Sequence, residues 1–450
     1  MRRNLVLMGA TVLVVGSFVR FYETKRDRIA ISTRLQPTAV VAEKSGKELA
    51  DIDEKSTHIQ TRTIDIGSGN KKVNAFCLSS TGAMLAACGT GPGEIRVLND
   101  QGKLLSSWDI SVKPEAIGCA SDGTILVGGD GKLFKFSDQG KVLLETDAPH
   151  ATSIRNHSKV LREEAIAYIE RTKTSQSSVG LKGRVDAYER IIKQLHEKGE
   201  KEELSDQESS MLKSLSLTLE KMKVQYDKEK EKEENAKDEE KDAGPSDEAI
   251  ATQVDRLIKS KMRIASMSTD GESIFVATPA LKGYGFAIWK MNQSMSDGEE
   301  IVTGLSGCCG QMDVQACKNG LYVAENSRAR VVCYDSNGKE IRNWGKADRT
   351  GLDGFTSCCN PMNVCFNRNG DVFTAESNTG RIKRFSAEGE FLDFVGDVKL
   401  VPGCKNVSIA VTPDHSKVYM LDLTRNHIVV MEKKTDESRE KPPTVAVSND

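Results

Sequence analysis

The chain has 450 residues, enough for two or three average domains or for one large repeat domain with additions. With 38% apolar residues, 28% charged residues, 37 glycines and 11 prolines, the composition excludes a polytopic membrane protein and a collagen-like or low-complexity chain. Lys and Arg number 63 against 65 Asp and Glu, so no net basic charge favours nucleic acid as a partner.

The N-terminus carries the pattern of an export signal. Arg2 and Arg3 precede the uncharged run Leu5–Val19, which ends at Arg20. As a helix this run spans about 22 Å, less than a hydrocarbon core of ~30 Å, but Arg20 can snorkel towards the interface. No cleavage site of the A-x-A type follows the run. We therefore expect residues 1–22 to form an uncleaved membrane anchor, with a cleaved signal peptide as the alternative.

The basic residues at the N-terminus also predict an orientation. The positive-inside rule keeps Arg2 and Arg3 in the cytoplasm and places the rest of the chain outside it. We expect a single-pass protein of the cell membrane whose body lies in the periplasm, or a secreted protein if the signal is cleaved. Residues 23–60 are polar and are expected to form a tether.

Two segments of the chain align with a period of 50 residues, and they begin at Cys308 and Cys358. Each segment reads as a short strand, a turn with glycine, a strand, a polar loop, a strand, a second glycine turn and a last strand. Four antiparallel strands per repeat form the blade of a β-propeller. The period therefore predicts an all-β propeller.

Weaker copies at the same spacing predict six blades. The expected blades span residues 71–110, 113–146, 261–303, 308–346, 358–397 and 404–432. The last blade lacks a fourth strand, and residues 61–67 can supply it, which would close the ring and remove exposed sheet edges. The propeller is thus expected in residues 61–150 and 261–432, followed by a disordered charged tail at 433–450. Seven blades are the alternative, because the third copy is degenerate.

The segment Asn369–Ile382 resembles the NHL repeat, and Gly320–Val331 repeats its signature. On these motifs the propeller region is similar to the NHL-repeat family of six-bladed propellers. The resemblance implies the fold and little about activity, because such propellers serve as adaptors, ligand-binding proteins and occasionally enzymes. The Cys-Cys-Asn-Pro segment at 358–361 departs from the common NHL repeat and resembles an exported bacterial subgroup.

Residues 151–260 interrupt the repeat and have helical spacing. Two series of apolar residues step by three and four: Val185, Tyr188, Ile192 and Leu195, and then Leu212, Leu215, Leu219, Met222 and Tyr226. They predict an inserted antiparallel helical hairpin with a coiled-coil seam. Ser246 is expected to cap a further helix that returns to blade three. The hairpin is either paired internally or serves as an arm that binds a partner.

The cysteines are the strongest chemical signal. In a propeller, the connections from outer to inner strands and the loops between second and third strands lie on one face, and the helical insertion leaves from the same kind of connection. Five cysteines are expected on this face: Cys308, Cys309, Cys358, Cys359 and Cys404. Polar residues at the ends of second strands join them there: Glu325, Asn326, Glu376, Asn378 and Asp422.

Three chemistries are open for these five cysteines. Neighbouring blades can be joined by disulfides, which export favours. Adjacent cysteines can instead form a strained vicinal disulfide suited to redox chemistry. Thiolates beside Met312 and Met362 would also suit a soft metal such as Cu(I). The other six cysteines are expected to be small buried side chains on strands: Cys77, Cys88, Cys119, Cys317, Cys333 and Cys365.

The polar residues on the same face have two interpretations. In NHL-type repeats an acidic residue followed by Asn and Arg orders the loop by hydrogen bonds. The alternative is a divalent-cation site, as in the gluconolactonase-like six-bladed hydrolases, which need a Glu, an Asn and an Asp around one ion.

These patterns favour a membrane-tethered, extracytoplasmic propeller that acts as a binding or scaffold module through its cysteine-bearing face, without an assigned catalytic residue. A metal-dependent gluconolactonase-like hydrolase and a thiol-redox or copper-binding protein are the alternatives. The expected partners are a protein, bound by the propeller face or the helical arm, and the membrane, bound by the N-terminal helix. The cofactor is unknown, with copper or a divalent cation as the candidates, and no nucleic acid is expected.

Overall fold

The computed structural model describes residues 55–67, 69, 71–204, 206–235, 244–308, 310–348, 351–356, 359–377, 379–400 and 407–435. The predicted anchor, most of the tether and most of the charged tail lie outside these residues. Within the described part, no helix is long and apolar enough to cross a membrane.

The described strands form six antiparallel sheets of four strands each, numbered here as blades in chain order. Blade 1 comprises β2 (Val73–Leu78), β3 (Met84–Cys88), β4 (Gly93–Leu98) and β5 (Leu104–Ile110). Blade 2 comprises β6 (Ala116–Cys119), β7 (Ile125–Gly129), β8 (Lys132–Phe136) and β9 (Val142–Asp147). Blade 3 comprises β10 (Ser266–Thr269), β11 (Ser273–Pro279), β12 (Phe286–Asn292) and β13 (Glu299–Leu305).

The remaining three blades include the two segments of the clearest repeat. Blade 4 comprises β14 (Asp313–Cys317), β15 (Gly320–Glu325), β16 (Arg330–Tyr334) and β17 (Glu340–Trp344). Blade 5 comprises β18 (Asn363–Phe366), β19 (Val372–Ala375), β20 (Arg381–Phe385) and β21 (Phe391–Asp397). Blade 6 comprises β22 (Ile409–Val411), β23 (Lys417–Asp422), β24 (His427–Lys433) and β1 (His58–Asp65).

The N-terminal strand closes the ring. β1 pairs antiparallel with β24, from His58 opposite Lys433 to Asp65 opposite His427. The inner strands of consecutive blades contact one another around the whole circle, and β22 of blade 6 contacts β2 of blade 1. The prediction of a six-bladed propeller closed by the N-terminal strand is therefore confirmed.

The core lies between neighbouring blades. Every residue of β3 (Met84–Cys88) and β7 (Ile125–Gly129) is buried, because a blade on each side covers both faces of these second strands. This is why their sequences are continuously apolar instead of alternating. The outer strand of each blade lies at the edge of its sheet and is more exposed. In blade 1, for example, β5 (Leu104–Ile110) begins with four exposed residues.

The insertion between blades 2 and 3 contains more helix than the sequence predicted. Its helices are α1 (Pro149–Asn156), α2 (Ser158–Gln176), α3 (Ser178–Gly199), α4 (Asp206–Asn235) and α5 (Asp247–Lys261). The prediction contained no α1 or α2, because buried apolar residues are sparse there: α2 buries Leu161 and Ala165 alone among its residues. The Ser246 hydroxyl does cap α5, since it accepts a hydrogen bond from the Ala249 amide at 3.2 Å.

The predicted antiparallel pair is formed by α3 and α4. Lys198 of α3 lies 2.6 Å from Glu208 of α4 near the turn. Further from the turn, Lys223 of α4 lies 2.7 Å from Glu189 of α3. One residue of the expected seam was misplaced: α3 buries Ile191 and leaves Ile192 half-buried. A step of three from Tyr188 therefore continues the buried face, where the sequence suggested a step of four.

A buried lysine attaches the insertion to blade 3. The Lys261 ammonium at the end of α5 donates to the carbonyls of Ala280 and Gly283, at 3.0 and 3.1 Å, in the loop after β11. It also lies 3.3 Å from the Glu164 carboxylate of α2. Burial lowers the pKa of Lys261, and the charge of Glu164 opposes that shift. The helices are thus held against the loop between the second and third strands of a blade.

Burial of His150 in the insertion predicts a pH dependence of stability. The His150 ring is buried in α1, and burial lowers its pKa to about 4, against the opposing effect of the Met262 and Lys261 backbone. Between pH 6.5 and 4 the unfolded chain then binds a proton that the folded chain excludes, so stability falls as the pH falls through this window.

We expect His150→Leu to remove that part of the pH dependence, which amounts to about 3 kcal/mol of unfolding free energy across the window. The measurement is the thermal midpoint between pH 7 and pH 4 for the wild type, the variant and His196→Gln, a control at an exposed position of α3. Parallel curves for His150→Leu and the wild type would contradict the expectation.

Candidate functional site

The candidate site is the face on which outer-to-inner connections meet the loops between second and third strands. We call it the cysteine face and define it by the connections 305–312 and 356–362 with the loops 325–330 and 376–381. In blade 4 the two parts are bonded directly. The Ser306 amide donates to the Glu325 carboxylate at 2.9 Å, and the Cys308 amide donates to the Asn326 side-chain oxygen at 2.7 Å.

Glu325 is fully buried and holds the loop that follows it. Its two carboxylate oxygens accept from Arg328 at 2.7 Å and from Arg330 at 2.6 Å. The residues between form a short 3₁₀ turn, Asn326–Arg328, and Ala329 ends it in the left-handed region at φ 52°. Both oxygens are therefore used within blade 4.

Glu376 occupies the equivalent position in blade 5 and is paired with a buried lysine. The Lys383 ammonium lies 2.5 Å from the carboxylate, and neither side chain is exposed. Lys383 also donates to the Gly354 carbonyl and lies 5.0 Å from the centre of the Phe355 ring. Burial lowers the pKa of Lys383, and the charge of Glu376 opposes that shift.

The other Glu376 oxygen accepts hydrogen bonds from neutral donors in the connection before β18 and in the loop after β19. They are the Thr356 hydroxyl and amide, the Asn360 amide group at 3.3 Å and the Thr379 hydroxyl at 3.2 Å. Asn360 is itself buried, and its side-chain oxygen accepts from the Ser377 amide at 2.9 Å. The carboxylate thereby fixes the connection that carries Cys359.

Asp422 in blade 6 also serves its own loop. It accepts from the amides of Thr424 and Arg425, and the Arg425 guanidinium lies 3.0 Å away. The carboxylates of Glu325, Glu376 and Asp422 are each bound within their own blade instead of around one point. Among the residues that the structure describes, no group of three or more His, Cys, Asp or Glu side chains could hold a metal ion.

The structure brings two of the predicted cysteines together. The Cys308 and Cys359 sulfurs, from blades 4 and 5, lie 3.0 Å apart. Cys359 is 1% exposed, whereas Cys308 is partly exposed. Buried Met362 belongs to the same apolar cluster as Cys359, and its sulfur accepts from the Asn326 amide group at 3.3 Å. Four predicted site residues fall outside the described residues: Cys309, Cys358, Asn378 and Cys404.

The remaining six cysteines lie on strands, as predicted, but Cys88 and Cys333 alone among them are fully buried and the other four are half-buried. Burial raises the pKa of each of these thiols: Cys77, Cys88, Cys119, Cys317, Cys333 and Cys365. For Cys88 the pKa rises to about 12. The thiolate form is disfavoured at these positions, so the six are poor nucleophiles and poor metal ligands.

A polar system in the central channel was missed by sequence reasoning. The inner strands enclose a cavity of about 260 Å³, into which Asp313 projects. Asp313 accepts from Ser266 of blade 3 at 2.7 Å and from the Val364 amide of blade 5 at 2.8 Å. Burial raises its pKa.

The 50-residue period could have revealed this system. Asn363 stands one repeat after Asp313, and its side chain accepts from the Ile409 amide of blade 6 at 2.9 Å. In blades 3, 4 and 5 the side chain of the first inner-strand residue thus bonds to the backbone of the next blade. These contacts give the channel residues a structural role in joining blades.

No known protein family matches the chain, and no curated protein sequence matches it. Solved structures that resemble it include a gluconolactonase from Xanthomonas campestris, with 8% identity, 83% of this chain and 89% of that chain covered, and a TM-score of 0.39. The WD40 domain of Neurospora crassa Pan2 has 7% identity, with 85% and 97% covered and a TM-score of 0.40. A protein of unknown function from Bacteroides caccae has 11% identity, with 73% and 82% covered and a TM-score of 0.37. These TM-scores are low, so the fold assignment rests on the six sheets.

The pair of Glu376 and Lys383 gives a prediction about stability. We expect Glu376→Gln to lower the unfolding free energy by about 3–5 kcal/mol, because it leaves the buried Lys383 ammonium without a counter-charge. The double variant Glu376→Gln/Lys383→Met should recover part of this loss, and Glu325→Gln should cost less, since Arg328 is 51% exposed and can be hydrated. Denaturant unfolding of the four proteins checks this. Equal losses for Glu376→Gln and Glu325→Gln would contradict it.

Proposed function

We propose that the protein is an NHL-type propeller that acts as a binding or scaffold module through the cysteine face. One observation carries this proposal: the acidic residues that could have served catalysis or a cation instead hold the loops of their own blades. Glu325 and Glu376 are fully buried, and each is paired with a cation of its own blade. Such contacts produce a rigid surface with defined loops, which is what a binding module needs.

The helical insertion adds a second surface beside this face. It follows β9, the outer strand of blade 2, and returns to blade 3 at the inner strand β10. Its α3–α4 pair exposes large apolar side chains: Val179 at 78%, Leu217 at 56% and Val224 at 55%. We propose that this helical pair is the partner-binding arm, with these exposed apolar residues as its contact positions.

The proposal includes tethering to a membrane by residues 1–22, with the propeller on the extracytoplasmic side. The support is in the sequence: Arg2 and Arg3 precede the apolar run Leu5–Val19, and the polar segment predicted as a tether follows that run. A tether of this kind would concentrate the binding face near other membrane components.

A soft-metal site is the second candidate function, and the sulfur pair favours it. The Cys308 and Cys359 sulfurs are 3.0 Å apart, Met362 belongs to the same buried cluster, and Cu(I) prefers thiolate and thioether ligands. A stoichiometric soft metal in the wild-type protein, lost from both Cys308→Ser and Cys359→Ser, would establish this function. The gluconolactonase-like alternative has less support, because it needs the carboxylates of Glu325 and Glu376 around one cation.

The binding proposal is tested by placing a photo-crosslinking amino acid at three exposed positions of the full chain in its native cell. The positions are Ser327 on the cysteine face, Leu217 on α4 and, as a control, Lys141 in the turn before β9, at the opposite end of the strands. We expect one and the same protein to be captured from Ser327 and Leu217, and not from Lys141. Equal capture from Lys141, or no capture from Ser327, would contradict the proposal.

A further inference from the structure

We propose that Cys308 and Cys359 form a reversible disulfide that joins blades 4 and 5, and that Cys308 is the sulfur through which this bond is made and broken. The inference goes beyond the proposed function, because it holds whatever partner binds the cysteine face.

The two sulfurs are already placed for the bond. They lie 3.0 Å apart, so a movement of about 1 Å brings them to the length of an S–S bond. The residues come from connections one repeat apart: Cys308 precedes β14, and Cys359 precedes β18. The disulfide would therefore link two blades at the entrance of their inner strands.

Each cysteine is held by the loop of its own blade. The Cys308 amide donates to Asn326 at 2.7 Å, and the Cys308 carbonyl accepts from the Gln311 amide at 3.1 Å. Cys359 is followed by buried Asn360, which is bonded to Ser377 and Glu376. Because the backbone of Cys308 and the side chain of Asn360, next to Cys359, are held before the bond forms, less conformational entropy remains to be lost when the sulfurs join.

Exposure assigns different roles to the two sulfurs. Cys359 is 1% exposed and beyond the reach of an external thiol or disulfide, whereas Cys308 is partly exposed. In oxidation, the Cys308 thiolate attacks an external disulfide, of a thiol–disulfide oxidoreductase or a low-molecular-weight compound, and releases one thiol from it. The Cys359 thiolate then attacks the Cys308 sulfur and releases the second thiol.

The exchange is balanced. Cys308 and Cys359 lose two protons and two electrons in all, and the external disulfide is reduced to two thiols. In the reverse direction an external thiolate attacks the Cys308 sulfur, and Cys359 leaves as the thiolate. The six strand cysteines do not compete, because burial raises their pKa values and keeps them as thiols.

The bond would connect redox conditions to the cysteine face. Asn326 contacts the backbone of Cys308 and the sulfur of Met362, so it bridges blades 4 and 5 beside the sulfur pair. Oxidation adds a covalent link at this junction, and reduction leaves it to non-covalent contacts. We expect the oxidised protein to have a thermal midpoint roughly 4 °C above that of the reduced protein.

The test uses the full chain, purified without reductant and quenched with acid and an alkylating agent, followed by peptide mapping with fragmentation between adjacent cysteines. We expect a link between Cys308 and Cys359 that disappears in Cys308→Ser and Cys359→Ser. It should persist in the matched neighbours Cys309→Ser and Cys358→Ser. Alkylation of both Cys308 and Cys359, a link that survives Cys308→Ser, or a stoichiometric metal in place of the link would overturn the inference.

A second measurement keeps the inference testable if a serine variant does not fold. Wild-type protein is oxidised and reduced in turn, and the thermal midpoint is recorded in each state. If the oxidised and the reduced wild-type protein have the same thermal midpoint, the proposed link between blades is overturned. Photo-crosslinking from Ser327 reports capture of a partner and not the Cys308–Cys359 link, so a failure here and a failure of the binding proposal can be told apart.

Discussion

The local structure of the cysteine face depends on the buried charge of Glu376. A carboxylate without access to water must collect donors, and Glu376 collects the Lys383 ammonium together with groups from the preceding connection. Taking a carboxylate out of water costs free energy that its contacts must offset. Loss of one of these contacts is therefore expected to rearrange the loop. The position of Cys359 follows from this requirement, because the connection that carries it is bonded to Glu376 through Asn360.

The same arrangement recurs with different residues in other blades. In blade 4, Glu325 and Asn326 bind the connection that carries Cys308. In the channel, Asp313 and Asn363 bond to the inner strands of the blades that follow them. Polar groups therefore hold the connections that precede β14 and β18, while apolar packing between blades supplies the stabilisation. The sulfurs of neighbouring blades meet as a consequence of this regularity.

Sequence periodicity was sufficient to predict the six blades, the closing strand β1 and the shared face, because a propeller repeats one local pattern. It was insufficient where burial depends on distant packing. The seam of α3 uses Ile191 in place of Ile192, since the partner helix decides which neighbour is covered. The local sequence of Asp313 does not show its role, since the next blade supplies one of its donors, and only the comparison with Asn363 one repeat later points to it. Which cysteines pair is likewise a property of the assembled ring.

Buried acids order the loops of the cysteine face, and a sulfur pair lies between blades 4 and 5. A crystal structure of the protein purified from its native compartment without reductant tests this most directly, with anomalous scattering to locate sulfur and metals. The account predicts covalent electron density between Cys308 and Cys359, and Glu325 and Glu376 bound to their own loops. A metal ion between the sulfurs, or a cation shared by the carboxylates of Glu325 and Glu376, would contradict it.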